Sequence, residues 1–314
     1  MTVVPWFDVP TDLNASHRVR APGGYERWSF DMADAASDVR VVAVLEVGSA
    51  TDSEYLKAYE RFAKKPTKWP PPTPADLAIA HCAIYRDGRH FGRFRTRAAK
   101  GSFSVSTEQL DVSIGGNRLT RTADGIRLTI SGDSEEGGRL DADLLLRPTP
   151  NAEPREIPIF TNAMSEWEHR WVLAEFGGEA AGSASVAGER LNLRGGGFHD
   201  HDFGEGPVGR NVRRWVKGHA SFASRTMAFH VAYPWDEAAA VEVRFLEADA
   251  SGVREHPVTF KSGYPSPCPR QMDFGTHLHL SNPRELDGRC GLVVCDASAG
   301  GETGTALCEV VRPD

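Results

Sequence analysis

Cysteine is scarce and unpatterned in this sequence. Cys82, Cys268, Cys290, Cys295 and Cys308 form an odd set with no CxxC pair. A disulfide framework is therefore not expected, buried free thiols in a reducing compartment are the default, and one disulfide among the last four is the pairing left open. No stretch approaches the about 18 consecutive apolar residues that a membrane-spanning helix needs. The opening Met1-Thr-Val-Val-Pro-Trp6 has no basic region followed by an apolar run, so no signal peptide is read and a cytoplasmic location is expected. Positive charge is also short. The 36 Lys and Arg stand against 43 Asp and Glu, a net charge of −7, which argues against a general nucleic-acid binder.

What is present is period-two alternation. Val39, Val41, Ala43, Leu45 and Val47 share one face of an extended segment. Ile126, Leu128 and Ile130 alternate with Arg127 and Thr129, and Leu140, Ala142, Leu144 and Leu146 with Asp141 and Asp143. Leu191-Asn-Leu193, Val241–Phe245 and His277-Leu-His-Leu280 continue the pattern, which reads as strands with one buried face. Turn signals separate them at Asp87-Gly88, Gly115-Gly116-Asn117, Asp124-Gly125, Glu136-Gly137-Gly138 and Asp287-Gly288. Many short strands with regular turns predict antiparallel barrels or sandwiches.

One helix is predicted where Thr51-x-x-Glu54 forms a capping box. Tyr55, Tyr59 and Phe62 follow at helical spacing, and Pro66 stops it. It packs across a barrel or lids a ligand mouth. Trp69-Pro-Pro-Pro-Thr-Pro74 is a stiff connector. The proline-rich stretch 147–158 has little apolar periodicity, which places a domain boundary there and gives domains of 1–150 and 151–314.

Gly195-Gly-Gly-Phe-His-Asp-His-Asp-Phe-Gly204 is the densest polar cluster. If extended, Phe198, Asp200 and Asp202 face one way and His199 and His201 the other. Three readings follow. In one, Asp200 is a general acid buried in an apolar barrel, kept protonated by desolvation, so that it can protonate an electron-rich alkene while aromatic faces stabilise the cation. In another, His199 and His201 join His277 and His279, which repeat the HxH spacing, to bind a transition metal. In the last, the cluster is a hydrogen-bonded plug that closes a barrel. A second cluster, Glu166-Trp-Glu-His-Arg-Trp171, puts His169 and Trp171 on one face. Arg213-Arg-Trp-Val-Lys217 follows, with charges that face solvent or pair with Asp202 and Glu205.

These motifs resemble those of the carotenoid 1,2-hydratase (hydroxyneurosporene synthase) family and its AttH-like and fungal pericyclase relatives. The segments involved are Trp28-Ser-Phe-Asp31, Leu110–Asn117, Asp124–Leu128, Gly138–Pro148, His169-Arg-Trp171, and Gly197–Gly204 with downstream Arg214-Trp215. The resemblance implies a mostly-β fold of two tandem lipocalin-like antiparallel barrels with one or two short helices. It also implies a protein that adds water to, cyclises or binds polyenes and other hydrophobic molecules without a cofactor. By motif it assigns the family's catalytic His to His169, the Trp to Trp171 and the Asp to Asp200. The family's Tyr is Phe198 here, which stacks on a cation but relays no proton; His201 is the candidate replacement relay.

The expected activity is hydratase-like or cyclase-like, with Asp200 as acid, His169 orienting it, and Trp171, Phe198, Phe203, Trp215 and Trp28 as substrate-binding aromatics. The alternatives are a non-catalytic carrier of a hydrophobic ligand and a His-based metal site. No cofactor is implied, the expected partner is a hydrophobic small molecule, and the oligomeric state is left open.

Overall fold

A computed structural model describes residues 6–99, 101–150, 153–161, 167–210, 212–236, 238–262, 271–286 and 291–312. Two antiparallel sheets account for almost all of it. The first contains β1 (Tyr25–Asp34), β2 (Val39–Gly48), β3 (Ala78–Arg86), β4 (Arg89–Ala98), β5 (Phe103–Val105), β6 (Asp111–Ile114), β7 (Asn117–Thr122), β8 (Gly125–Asp133), β9 (Arg139–Pro148), β10 (Arg155–Ile159), β11 (His169–Val186) and β12 (Glu189–Gly204). Its order is β4-β3-β2-β1-β12-β11-β9-β8-β7-β6-β5, with β10 paired to β11.

The second sheet contains β13 (Val212–Ser221), β14 (Arg225–Pro234), β15 (Glu242–Asp249), β16 (Gly252–Glu255), β17 (Phe260–Ser262), β18 (Met272–Phe274), β19 (His279–Glu285), β20 (Leu292–Ala299) and β21 (Glu302–Val311). Its order is β16-β15-β14-β13-β21-β20-β19-β18-β17.

Each sheet curls around its own core, giving the two-barrel, lipocalin-like architecture. In the first, the alternating residues Val39 to Val47, Ile126 to Ile130 and Leu140 to Leu146 point inward with Trp28, Phe30 and Met32. The curl brings β4 against β8, where Gly132 leaves room for the Phe94 ring; a Cβ there would meet that ring at 2.8 Å. The second barrel closes over Phe229, Phe245, Phe274, Leu280 and Val293.

The described parts of the proline-rich stretch on either side of residues 151–152 both pair in the first sheet. Pro148 pairs with Gly178, and Arg155–Ile159 pairs with Leu173–His169. Among the described residues, the last strand of the first sheet ends at Gly204 and the first strand of the second begins at Val212.

The helix α1 spans Ser53–Lys64 and Lys65 caps its end, so Pro66 stands where the sequence places the stop. Its N-cap is Asp52 rather than Thr51. Asp52 Oδ1 accepts the Tyr55 N–H at 3.0 Å, because the carboxylate reaches the free first-turn amide from one residue closer. Tyr55 is buried with Leu77 and Ile79, and its hydroxyl donates to the Gly24 carbonyl at 2.8 Å. The turn at Asp287-Gly288, Glu166, Cys268 and Cys290 lie outside the described residues. Cys82, Cys295 and Cys308 are buried free thiols.

A candidate active site in the seam between the barrels

The outer faces of the two barrels pack on one another. Tyr25, Phe160, Trp171, Phe176 and Phe198 from the first meet Val212, Trp215, Ala228, Leu246 and Val311 from the second. This contact leaves a cavity of about 690 Å³ bordered by β1, β2, β3, β4, β12, β13 and β21.

The strand β12 pairs with β1 without a bulge, Asp200 opposite Ser29 and Asp202 opposite Arg27. Pleat alternation therefore sends Phe198, Asp200 and Asp202 into the cavity. Asp200 does not lie inside an apolar barrel, as the sequence alone leads one to expect. It lies outside both barrels, in the seam.

Asp200 is tightly held. Its Oδ2 accepts the Trp171 indole N–H at 2.9 Å and the Lys217 ammonium at 3.0 Å. Lys217, buried like its partners, also donates to Asp202. Arg27 lies 3.4 Å from Asp202 and grips Glu309 in a two-pronged pair at 2.9 and 2.6 Å. Burial alone would raise the Asp200 carboxyl. The Lys217 charge and the Trp171 hydrogen bond outweigh it and hold Asp200 below the ordinary aspartate range. The ammonium beside Asp200 favours its ionised form, against the desolvation that the sequence-based expectation of a protonated Asp200 rests on. Burial and the neighbouring Asp200 charge push Asp202 the other way, up.

Burial also pushes Glu46, opposite Arg27 in the β1–β2 register, up to about 7. Five carboxyls, Asp31, Glu46, Asp200, Asp202 and Glu309, thus border the cavity with four cations, Arg27, Lys217, Arg312 and Arg95, the last of them bound to Asp52 outside it. A surplus of carboxyls over cations in a desolvated place retains protons near neutral pH, which suits acid–base chemistry.

The apolar wall is aromatic. Phe198 stacks on His219 with ring centres 4.2 Å apart, and the His219 Nε2 faces both oxygens of Asp31 at 3.0 Å. Trp215, Phe160 and Tyr25 complete it. Behind Tyr25 sits His169, buried, its Nδ1 3.5 Å from the Tyr25 hydroxyl. It packs so closely on Gly204 that a Cβ there would lie 2.0 Å from that nitrogen. Burial drops the His169 pKa to about 3, so the ring is neutral. His169 neighbours the aromatic wall through Phe160 and Tyr25; the groups that hydrogen-bond Asp200 are Trp171 and Lys217.

His201, Phe203 and Trp28 do not border the cavity. They lie on the other face of the sheet, where the Trp28 ring stacks on His201 at 4.6 Å and Phe203 stacks on His17 at 3.8 Å. His199 joins them, its nitrogens facing the Ser29 carbonyl at 2.6 Å and Asn14 Oδ1 at 3.0 Å. The segment 6–20 covers this face, packing Phe7 and Val19 on Val172, Ala174 and Phe203.

The four-imidazole metal site does not assemble. His277 and His279 belong to the second barrel, His277 beside Phe245 and His256, and His279 paired with Asp273.

The residues that sequence reading missed are Arg27, Glu46, His219 and Glu309, and Asp31 reads as part of a family motif without a role in the site. In strands with one buried face, they read as the solvated side. The pairing of Lys217 was half visible, since Asp202 was one of its two expected partners.

No family model matches the chain. A curated relative, hydroxyneurosporene dehydrogenase of Chlorobaculum tepidum, is 28% identical over 238 residues, 72% of this chain, and the chain spans 62% of that relative's length. Among solved structures, a protein assigned as AttH from Nitrosomonas europaea matches with a TM-score of 0.64 at 13% identity, covering 99% of this chain and 98% of the other. Kievitone hydratase from Nectria haematococca matches at 0.53 and 10%, covering 99% and 93%. CghA with Sch210972 matches at 0.57 and 12%, covering 99% and 95%. The resemblance carried by the sequence motifs recurs in the curated relative, and the two-barrel fold recurs in the solved structures.

Proposed function

We propose that the chain, a relative of hydroxyneurosporene dehydrogenase with the fold of AttH, kievitone hydratase and CghA, is a cofactor-independent enzyme of the hydratase or cyclase kind. Its substrate is a hydrophobic, alkene-bearing small molecule of the polyene, terpenoid or polyketide type. The observation that carries this reading is the buried Asp200–Lys217–Asp202 group facing an aromatic-walled cavity.

In this reading Asp202, the carboxyl pushed up, gives its proton to an alkene carbon. The cation formed on the neighbouring carbon faces the Phe198 and Trp215 rings and ionised Asp200. In hydration, a water oxygen bonds to the cation and releases its proton to Asp200. Where water is excluded, an adjacent C–H gives its proton to Asp200 and leaves a new double bond. In cyclisation a second alkene of the same molecule first bonds to the cation, closing the ring and moving the charge to its far carbon, and a C–H beside that carbon then gives its proton to Asp200. Lys217, hydrogen-bonded to both carboxyls, returns the proton from Asp200 to Asp202. General acid catalysis of this kind contributes typically about 10²–10⁴-fold.

The test is turnover of an acyclic C40 polyene in D₂O, followed by mass spectrometry, for the wild type, Asp200→Asn and Asp202→Asn. Deuterium in the product and loss of turnover in both variants are expected. Saturable binding without product from the wild type, across acyclic polyenes, terpenoids and polyketides, would make the protein a carrier. Unchanged turnover in both variants would move the chemistry elsewhere.

A further inference from the structure

The face of β12 turned away from the cavity carries a second buried cluster, which the proposed reaction does not use. His17, Glu26 and His201 are all buried there, the two imidazoles completely. His201 Nε2 lies 3.1 Å from Glu26 Oε1, and His17 Nδ1 lies 3.5 Å from the same oxygen. One ligand atom from each residue falls within 4.8 Å of the others. Tetrahedral zinc with bonds of about 2.0–2.2 Å sets neighbouring ligand atoms about 3.3–3.6 Å apart.

The far side of each group is anchored. His201 Nδ1 faces the Leu13 carbonyl at 3.4 Å, His17 Nε2 faces Glu156 Oε2 at 3.6 Å, and Glu26 Oε2 accepts from the Ser16 hydroxyl at 2.8 Å. A carboxylate or backbone carbonyl on the outer nitrogen is the arrangement that orients metal-binding histidines. The completely buried His17 ring meets carboxylates on both sides, at the long distances of 3.5 and 3.6 Å, while its backbone N–H donates to Glu26 Oε1 at 2.6 Å.

Protonation alone fits this cluster poorly. Each imidazole lies between two acceptors, His201 between Leu13 and Glu26, His17 between Glu156 and Glu26. Filling every gap with protons requires two imidazolium rings whose centres are 5.2 Å apart. A single divalent ion supplies the same charge while both rings stay neutral, each donating its outer N–H to its anchor. The ion also balances Glu26, while Glu156 already meets Arg170 at 3.3 Å. Among the described residues a second group at ligand spacing, Glu247, His256 and His277, makes a weaker case, because Glu247 already meets Arg254 and Arg225.

We propose that His17, Glu26 and His201 form a structural site for a divalent transition-metal ion, Zn²⁺ by its imidazole–carboxylate chemistry. The ion pins the segment 6–20 to the end of the first barrel. It lies across β12 from the Asp200 group and takes no part in the chemistry there.

The full chain, refolded with Zn²⁺ and dialysed, is assayed for metal content and for melting temperature with and without dipicolinate. About one equivalent of zinc is expected, with a melting temperature that falls on chelation and returns when Zn²⁺ is restored. Co²⁺ in its place should give the visible bands of a four-coordinate ion, and His17→Gln and Glu26→Gln should abolish both signals. Because those variants can misfold, ¹⁵N spectra of the wild-type histidines decide independently: neutral, metal-shifted rings at His17 and His201 support the site. Less than about a tenth of an equivalent of metal, or two imidazolium signals there, would overturn it. So would zinc retained by folded variants.

Discussion

The ammonium of Lys217 sits 3.0 Å from Asp200 Oδ2 inside the protein, on a strand of the opposite barrel. The two barrels are therefore joined at the candidate site by an ion pair, and β1 adds another between Arg27 and Glu309 of β21.

Removing the cation leaves Asp200 and Asp202 buried together without it. Lys217→Met should cost about 3–5 kcal/mol near neutral pH, the usual penalty for breaking a buried pair. In the variant both carboxyls have folded-state pKa values raised above their unfolded ones. Such groups add stability below the unfolded value and lose it as pH rises through the folded one. The deficit should shrink as pH falls toward about 4, which denaturant titrations across pH will read.

Trp171→Phe keeps the ring and deletes the indole N–H that Asp200 accepts. A hydrogen bond to a charged group contributes about 1.5–3 kcal/mol. Losing it should raise the Asp200 pKa and move the acidic limb of the pH–rate profile upward by about one unit or more. A purely packing role for Trp171 would lower the rate at every pH and leave the profile where it was.

Burial holds Glu46 at about 7, above its ordinary 4.5. The folded protein thus gains from protonated Glu46 at low pH and loses that gain as pH rises from about 4.5 to about 7. Glu46→Gln should match the wild type in stability near pH 4 and exceed it at pH 8, by on the order of 1–3 kcal/mol. Equal stability at both pH values would place Glu46 in contact with water.

Asp52 caps α1 and binds Arg95 at 2.9 Å and Arg97 at 2.6 Å on β4. Asp52→Ala should cost about 1–2 kcal/mol, whereas Thr51→Ala should cost little. Thermal melts of the two variants distinguish the caps.

Much of this architecture could be read from the sequence. The alternation in 39–47, 126–130 and 140–146 identifies inward residues because a sheet buried on one face obeys a two-residue period. The same rule puts Phe198, Asp200 and Asp202 on one side of β12. It fails for Arg27, Glu46 and Asp31, because outward residues of a barrel strand look alike whether water or another barrel covers them. His201 shares the polar segment of Asp200, and only alternation separates them. The prolines of 147–158 interrupt the two-residue alternation, yet beyond them Arg155–Ile159 pairs with β11 in the first sheet.

The strand β12 acts as a partition. From Phe198 to Phe203 it deals side chains alternately to two compartments, carboxylates to the seam and imidazoles to the covered end of the barrel. A one-residue slip would exchange the contents of the two rooms, placing His199 and His201 beside Lys217 and Asp200 beside Glu26. The spacing of this segment is therefore a stricter constraint than the identity of most of its members, and evolution can repaint either room more easily than it can move the wall.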